Sequence, residues 1–143
     1  MSRTGRCLCG AVQFEAEGVS DEVHACHCNM CRHWSGGPGL AVQAESVRFT
    51  GEEHLARYAS SGWAERGFCT RCGSNLFYRL KEPDVYTMWF GAFDDPTPYA
   101  LHGEIYVDEK PAAYDFAGDH PRMTGAEFLA SLGMAGDDGG GAD

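Results

Sequence analysis

The sequence lacks a long hydrophobic run and has few basic residues. No apolar stretch in its 143 residues approaches the roughly 20 that a membrane-spanning helix needs. Lys and Arg number only 11 against 21 Asp and Glu, which gives a formal net charge of −10. Nucleic acids and anionic membrane surfaces are bound through clustered Lys and Arg. We therefore expect neither as a general partner.

The first residues, MSRTGRCLCG, also lack the apolar stretch of a secretory signal. We therefore expect a cytoplasmic protein, whose thiols stay reduced. The seven cysteines are an odd number, which fits a disulfide framework poorly. Both points favour metal ligation over disulfide formation.

All seven cysteines fall into three short groups. These are a C-x-C pair at Cys7 and Cys9, a C-x-C-x-x-C cluster at Cys26, Cys28 and Cys31, and a C-x-x-C pair at Cys69 and Cys72. A C-x-x-C turn followed by glycine, here Gly73, is typical of zinc ligands and supplies half of a tetrahedral site. The other half could come from Cys7 and Cys9 or from any two of the central three. We prefer Cys7 and Cys9, because that choice leaves the compact central cluster intact.

The pattern thus predicts a four-cysteine group (Cys7, Cys9, Cys69 and Cys72) and a cysteine triplet (Cys26, Cys28 and Cys31). A site with four thiolates is full and serves structure, whereas three ligands and a vacancy are the arrangement of a catalytic zinc. Zinc bound by three thiolates is a weak Lewis acid but still accepts a soft fourth ligand such as a thiol. The triplet therefore favours thiol substrates over hydrolysis.

Other readings of the cysteines remain open at this point. A histidine could close the second site, and His24, His27 and His33 are all near it in sequence. The triplet could instead be metal-free, with two thiols oxidised together. A redox C-x-x-C at Cys69 and Cys72 would need a helix N-terminus beside it, and the surrounding residues are typical of strands.

Short apolar and aromatic runs separated by turn residues predict a β-rich domain. The predicted strands are 6–17, 46–50, 55–59, 63–68, 75–80, 85–90 and 101–107. A local bend permitted by Gly10 is expected between Cys7 and Cys9, and a loop is expected over 32–39. Thr124 and Glu127 form a capping-box pattern that starts a short helix before Gly133. We expect one domain over 1–133 and a disordered, acidic, glycine-rich tail over 134–143.

Four segments together resemble the glutathione-dependent formaldehyde-activating enzyme family, also called the Gfa and CENP-V domain family. They are CLCGAV, CHCNMCR, FCTRCGSNL and EKPAAYD, and the resemblance covers roughly residues 3–118. It implies an Mss4-like, or β-tent, fold that is mainly β and built from small stacked antiparallel sheets. It also implies a structural zinc on the four-cysteine group and a second zinc on the triplet, hence two zinc ions per chain.

The resemblance implies condensation of formaldehyde with glutathione to S-hydroxymethylglutathione, formally a carbon–sulfur lyase reaction. The partners would be glutathione or a related small thiol and an aldehyde, and Cys26, Cys28 and Cys31 would be the catalytic residues. The alternatives are a non-catalytic, zinc-stabilised module that binds glutathione or a protein, and a redox sensor that uses the triplet. One departure is Ala113, where the family usually has tryptophan just before the position of Tyr114.

A few further side chains are candidates for the substrate site or for ordinary packing. Arg32, Arg66 and Arg71 could clamp the carboxylates of glutathione, although solvated arginines are common. Trp34, Trp89 and Phe90 could line a pocket or belong to the core. His102 is expected to be structural, and Asp94 and Asp95 are expected to be turn residues.

Overall fold

The computed structural model describes residues 2–133 and confirms the mainly β class. The strands are β1 (Ser2–Arg6), β2 (Gln13–Glu17), β3 (Glu22–Cys26), β4 (Gly39–Ala44), β5 (Ser46–Thr50), β6 (Leu55–Tyr58), β7 (Ala64–Cys69), β8 (Asn75–Leu80), β9 (Val85–Trp89), β10 (Ala100–Ile105) and β11 (Arg122–Met123). The α-helices are α1 (Asn29–Ser35) and α2 (Gly125–Ser131). Within residues 2–133, no helix has the length and apolar character needed to cross a membrane.

The chain divides into two compact units. The first comprises the residues up to Glu22 together with Ala41–Ala100, and the second comprises Val23–Leu40 together with the residues from Leu101. The single domain expected over 1–133 stays a prediction. The disordered tail expected over 134–143 lies outside the described residues.

The first unit contains two antiparallel sheets that stack through aromatic side chains. One sheet has the order β1-β2-β5, and in the other the strands of this unit follow the order β4-β9-β8-β7-β6. Phe49 of β5 places its ring centroid 5.3 Å from that of Phe77 on β8 and 5.9 Å from that of Tyr86 on β9. Phe77 is fully buried. These contacts make the core of the unit and confirm the stacked sheets that we expected.

The second unit holds β3, β10 and β11 with both helices. β10 and β11 are parallel, and Glu104 lies opposite Arg122 in the register. At the start of α2, Thr124 accepts a hydrogen bond from the Glu127 backbone N–H at 3.1 Å, while the Glu127 carboxylate accepts one from the Thr124 N–H at 2.8 Å. This reciprocal capping box confirms the predicted C-terminal helix.

Two local expectations were wrong in part. The predicted strand over 6–17 is interrupted, because the Cys7 carbonyl accepts from the Gly10 N–H at 3.2 Å and Gly10 takes a φ of 83°. That turn is the bend we expected between Cys7 and Cys9. The loop predicted over 32–39 begins only at Gly36, because α1 extends through Ser35 and ends on Gly36 in the left-handed conformation.

Candidate metal centres

The four-cysteine group lies in the first unit. Cys7 and Cys9 occupy the turn between β1 and β2, Cys69 ends β7, and Cys72 lies in the tight turn that follows it. The four sulfur atoms all lie within 4.8 Å of one another. Cys9 Sγ is 3.7 Å from Cys7 Sγ and 3.9 Å from Cys69 Sγ. In a tetrahedron with zinc–sulfur bonds of about 2.3 Å, the sulfurs are about 3.8 Å apart. The spacing therefore fits a tetrahedral zinc ion.

Backbone and hydroxyl groups point hydrogen-bond donors at these sulfurs. The Val12 N–H lies 3.3 Å from Cys7 Sγ, and the Arg71 N–H lies 3.3 Å from Cys69 Sγ. Ser74 Oγ accepts from the Leu8 N–H at 2.9 Å and can then donate to a sulfur, Cys72 Sγ, at 3.2 Å. Such outer contacts orient metal ligands and stabilise thiolates. Sequence reasoning missed Ser74, whose only signal is its place two residues after the C-x-x-C pair.

Two thiols of the four-cysteine group have pKa values shifted in opposite directions. Hydrogen bonding from Ser74 lowers the pKa of Cys72 to about 5. A backbone hydrogen bond from Ala11 favours the Cys9 thiolate, but desolvation and the neighbouring thiols outweigh it and raise the pKa of Cys9 to about 11. Four thiolates this close repel each other, and a divalent cation relieves that repulsion. The charge balance of the group is therefore suited to a metal ion.

The cysteine triplet lies in the second unit. Cys26 ends β3, Cys28 is the N-cap of α1, and Cys31 lies in the first turn of that helix. Cys28 Sγ accepts a hydrogen bond from the Cys31 N–H at 3.3 Å, so the residue that caps the helix is itself a candidate ligand. All three side chains are buried, and their sulfurs lie within 4.8 Å of one another. The triplet therefore has the composition and spacing of a three-ligand metal site.

The three histidines near the triplet in sequence make their contacts with other residues. Among residues 2–133, no histidine joins the three sulfurs as a member of that group. His24 packs its ring against His102 at 5.3 Å between centroids, and His33 donates from Nδ1 to the Asn29 carbonyl at 2.9 Å. His27 is fully buried and turns both ring nitrogens to other side chains of the second unit.

A buried carboxylate that sequence reasoning missed bonds His27, the residue between two cysteines of the triplet. Glu104 accepts from His27 Nε2 at 2.7 Å, from His120 Nε2 at 2.5 Å and from Arg122 Nε at 3.0 Å. Burial alone would raise the pKa of Glu104, but the hydrogen bonds from His120 and His27 outweigh it and lower that pKa. No sequence signal marks Glu104, since a single carboxylate in a strand is normally solvated.

The other candidate side chains lie mostly in structural places. Arg32 donates from Nε to the His27 carbonyl at 3.0 Å, Arg66 is buried with its guanidinium 5.3 Å from the Tyr78 ring centroid, and Arg71 is exposed. Trp34, Trp89 and Phe90 are half-buried, and Ala113 is exposed. Asp94 accepts from the Thr4 hydroxyl, and Asp95 accepts from Thr97 within its own turn. Within residues 2–133, none of these side chains is a member of either cysteine group.

The fold and the two cysteine groups define a mainly β protein that can bind metal through thiolates. A family model described as glutathione-dependent formaldehyde-activating enzyme matches residues 2–109. The chain belongs to this family, which confirms the resemblance found in the sequence.

Named relatives are similar over nearly their whole length. An uncharacterized lyase of Schizosaccharomyces pombe is 32% identical over 132 residues, which cover 90% of this chain and 95% of the relative. A Halomonas elongata protein, provisionally named as a glutathione-dependent formaldehyde-activating enzyme, is 30% identical over 151 residues, which cover 91% of this chain and 96% of the relative. The crystal structure of a Rhodobacter sphaeroides protein matches with a TM-score of 0.56 and 24% identity, covering 83% of this chain and 98% of that one. This last likeness supports the fold alone.

Proposed function

We propose that the protein is a zinc-dependent enzyme of the carbon–sulfur lyase type that forms S-hydroxymethylglutathione from formaldehyde and glutathione. The observation that carries the proposal is the triplet, whose three buried sulfurs converge without a histidine from the described residues among them. The family description and the name of the Halomonas elongata relative support these substrates, and the name of the Schizosaccharomyces pombe relative supports the lyase class.

In this proposal the two cysteine groups have different roles. Cys7, Cys9, Cys69 and Cys72 would hold a structural zinc and so tie the turn after β1 to the end of β7. Binding at such a site contributes directly to the free energy of folding, since the four ligands come together only in the folded chain. The expected content is two zinc ions per chain.

The triplet would hold the second zinc through Cys26, Cys28 and Cys31. Zinc at such a site supplies a place where a substrate thiol is deprotonated near neutral pH. The chain's own contribution is to fix three sulfurs at the end of β3 and the start of α1 and to keep bulk water away from them. In the reaction the glutathione sulfur forms a bond to the aldehyde carbon, and the proton lost by the thiol ends on the former carbonyl oxygen. Bringing the two reactants together would supply much of the acceleration.

A second candidate is a non-catalytic, zinc-stabilised module that binds glutathione or a protein. The low exposure of Cys28 (0%) and Cys31 (2%) favours this reading, because a substrate sulfur would have to reach an ion held between them. The two candidates predict the same metal content. They differ in whether the protein accelerates adduct formation.

The decisive experiment combines metal analysis with exchange measurements. Zinc stoichiometry is measured for the wild type, Cys28→Ser and the control His33→Gln, an exposed change in the same helix, with and without glutathione. NMR exchange spectroscopy then follows adduct formation from glutathione and formaldehyde. We expect two zinc ions and acceleration in the wild type and in His33→Gln, and one zinc ion without acceleration in Cys28→Ser. Two zinc ions with only the uncatalysed rate would support the binding module, and one zinc ion in every protein would remove the metal role of the triplet.

A further inference from the structure

We propose that His27 is the positioning residue of the cysteine triplet and that Glu104 holds it in place. This inference rests on the proposed metal-binding role of the triplet. We call the connected side chains the His27 network: His27, Glu104, Tyr114, His120 and Arg122. Nothing in the family match assigns a role to this network, and three of its members lie beyond residue 109, where the match ends.

His27 is fixed at every polar group it has. Its backbone N–H donates to the Ile105 carbonyl at 3.1 Å, and its own carbonyl accepts from Arg32 Nε at 3.0 Å. Its ring bonds Glu104 Oε1 through Nε2 at 2.7 Å and the Tyr114 hydroxyl through Nδ1 at 3.1 Å. The side chain is fully buried. These contacts favour the single conformation in which all of them form.

The position of His27 in the sequence transfers this rigidity to the triplet. It lies directly between Cys26 and Cys28, so the peptide groups that it anchors are those that carry both cysteines. The backbone conformation of Cys28 decides where its sulfur points. That sulfur also caps α1, which carries Cys31. Fixing His27 therefore restricts the three sulfurs before an ion binds, so that less conformational entropy is lost on binding.

Glu104 is the centre of the network because its side chain is only 1% exposed and accepts three hydrogen bonds. An ionised carboxylate only accepts, so His27 presents its N–H from Nε2 to Glu104. Nδ1 lies within hydrogen-bonding distance of the Tyr114 hydroxyl, at 3.1 Å. The network thus fixes the ring through contacts at both of its nitrogens, which a rotated ring could not make.

The contacts behind His27 come from the C-terminal segment. The His27 and Tyr114 rings stack at 5.6 Å between centroids, and the side chain of Arg122, whose strand pairs with β10, reaches Glu104. The segment from 110 to 123 therefore completes the support of the triplet. A purely structural role for the network would instead stabilise the second unit without affecting its affinity for metal.

The test uses the full chain and compares the two cysteine groups within one protein. The variants are Glu104→Gln, which keeps the shape of the side chain, and Tyr114→Phe, which removes a single hydroxyl group. Leu129→Ala is the control, since it opens a cavity in α2 of the same unit and takes part in none of the network's hydrogen bonds. Zinc affinity of each group is measured by chelator competition, and cobalt(II) spectra report the geometry around the triplet.

We expect Glu104→Gln to weaken zinc binding at the triplet by about 10- to 100-fold and to shift the cobalt spectrum, as loss of outer contacts does at other sites. Tyr114→Phe should weaken it less and in the same direction, and it decides the question if Glu104→Gln fails to fold. The four-cysteine group should keep its affinity in both variants. Leu129→Ala should lower thermal stability and leave the triplet unchanged.

Two results would overturn the inference alone: an unchanged triplet affinity in the network variants, or an equal loss in Leu129→Ala. A wild-type triplet that binds neither zinc nor cobalt would overturn the proposed function as well. The two failures are therefore distinguishable in one set of measurements.

Discussion

The contact between Gly67 and Phe77 gives a prediction whose size follows from the coordinates. A Cβ added at Gly67 would lie 2.2 Å from Phe77 Cζ and 2.3 Å from Cε2, whereas ordinary carbon contacts are about 3.5–4.0 Å. The Phe77 ring cannot easily move away, because it is fully buried and has Tyr86 at 5.1 Å and Phe49 at 5.3 Å between centroids. Gly67→Ala should therefore lower the free energy of unfolding by about 2–3 kcal/mol, the upper part of the range for overpacking.

Phe77→Leu removes the three outer ring carbons, which are the atoms that the new Cβ would meet. At about 0.8 kcal/mol for each buried carbon, this change should cost about 2 kcal/mol. If the two sites were independent, the double variant would lose about 4–5 kcal/mol. Because Phe77→Leu vacates the space that Gly67→Ala needs, we expect the double variant to lose only about 2 kcal/mol.

Urea unfolding in the presence of zinc and under reducing conditions measures all four free energies, provided that the m-value stays constant. Gly62→Ala is the matched control, since a Cβ at Gly62 meets no atom within 4 Å and should simply add to the effect of Phe77→Leu. A double variant of Gly67 and Phe77 whose loss equals the sum of the single losses would refute the clash. That result would mean that β7 accommodates a side chain by moving as a whole.

Two further predictions concern an ion-pair cluster and a helix cap. Burial alone would raise the pKa of Glu65, but hydrogen bonds from Arg57 and Arg79 to the carboxylate outweigh burial and lower that pKa. The ionised carboxylate therefore stabilises the fold above the unfolded pKa near 4.5, and this stability is lost as the pH falls below that value. Glu65→Gln should therefore lower the free energy of unfolding by about 1–2 kcal/mol at pH 7. Urea unfolding from pH 7 to 3 should also show a flatter loss of stability toward acid, and an unaltered pH profile would contradict the prediction. Thr124→Ala removes one half of the capping box with Glu127 and should cost about 1 kcal/mol in thermal unfolding, whereas a change below a few tenths would show that the cap adds nothing.

Much of the fold could be predicted because local patterns and the structure agree. The strand predicted over 75–80 has the bounds of β8, whose apolar residues Leu76, Phe77 and Tyr78 are all buried. The predicted C-terminal helix follows from the capping-box side chains of Thr124 and Glu127 together with the stop at Gly133. In these places the residues that decide the structure are neighbours in the chain.

The helix α1 could not be predicted in the same way. Its N-cap is Cys28, whose sulfur accepts the hydrogen bond that Ser, Thr, Asp or Asn normally accepts. The short distance to Gly36 and Pro38 also favoured a loop over 32–39. The helix therefore begins at a cysteine N-cap that ordinary capping preferences do not indicate.

The candidate site was also predictable only where the sequence carries a local pattern. The grouping of the cysteines could be inferred from their spacing, and the structure places Cys7 and Cys9 with Cys69 and Cys72, as the spacing suggested. The support of the triplet could not be inferred, because His27 and Glu104 are 77 positions apart and neither belongs to a motif that names the other. Long-range contacts of buried polar groups are decided by packing, which a single sequence does not encode in any local pattern.

The burial of the triplet places an electrostatic demand on the second unit. Three thiolates on one zinc ion leave a formal charge of about −1, and a fourth thiolate from a substrate would make it about −2. A charge of that size is costly away from water unless a cation lies near it. Arg32 follows Cys31 in α1 and is oriented by its Nε contact with the His27 carbonyl. Arg32, which follows the last cysteine of the triplet, is therefore a cation oriented by His27, and in the proposed function it would offset part of the charge that a bound thiol brings.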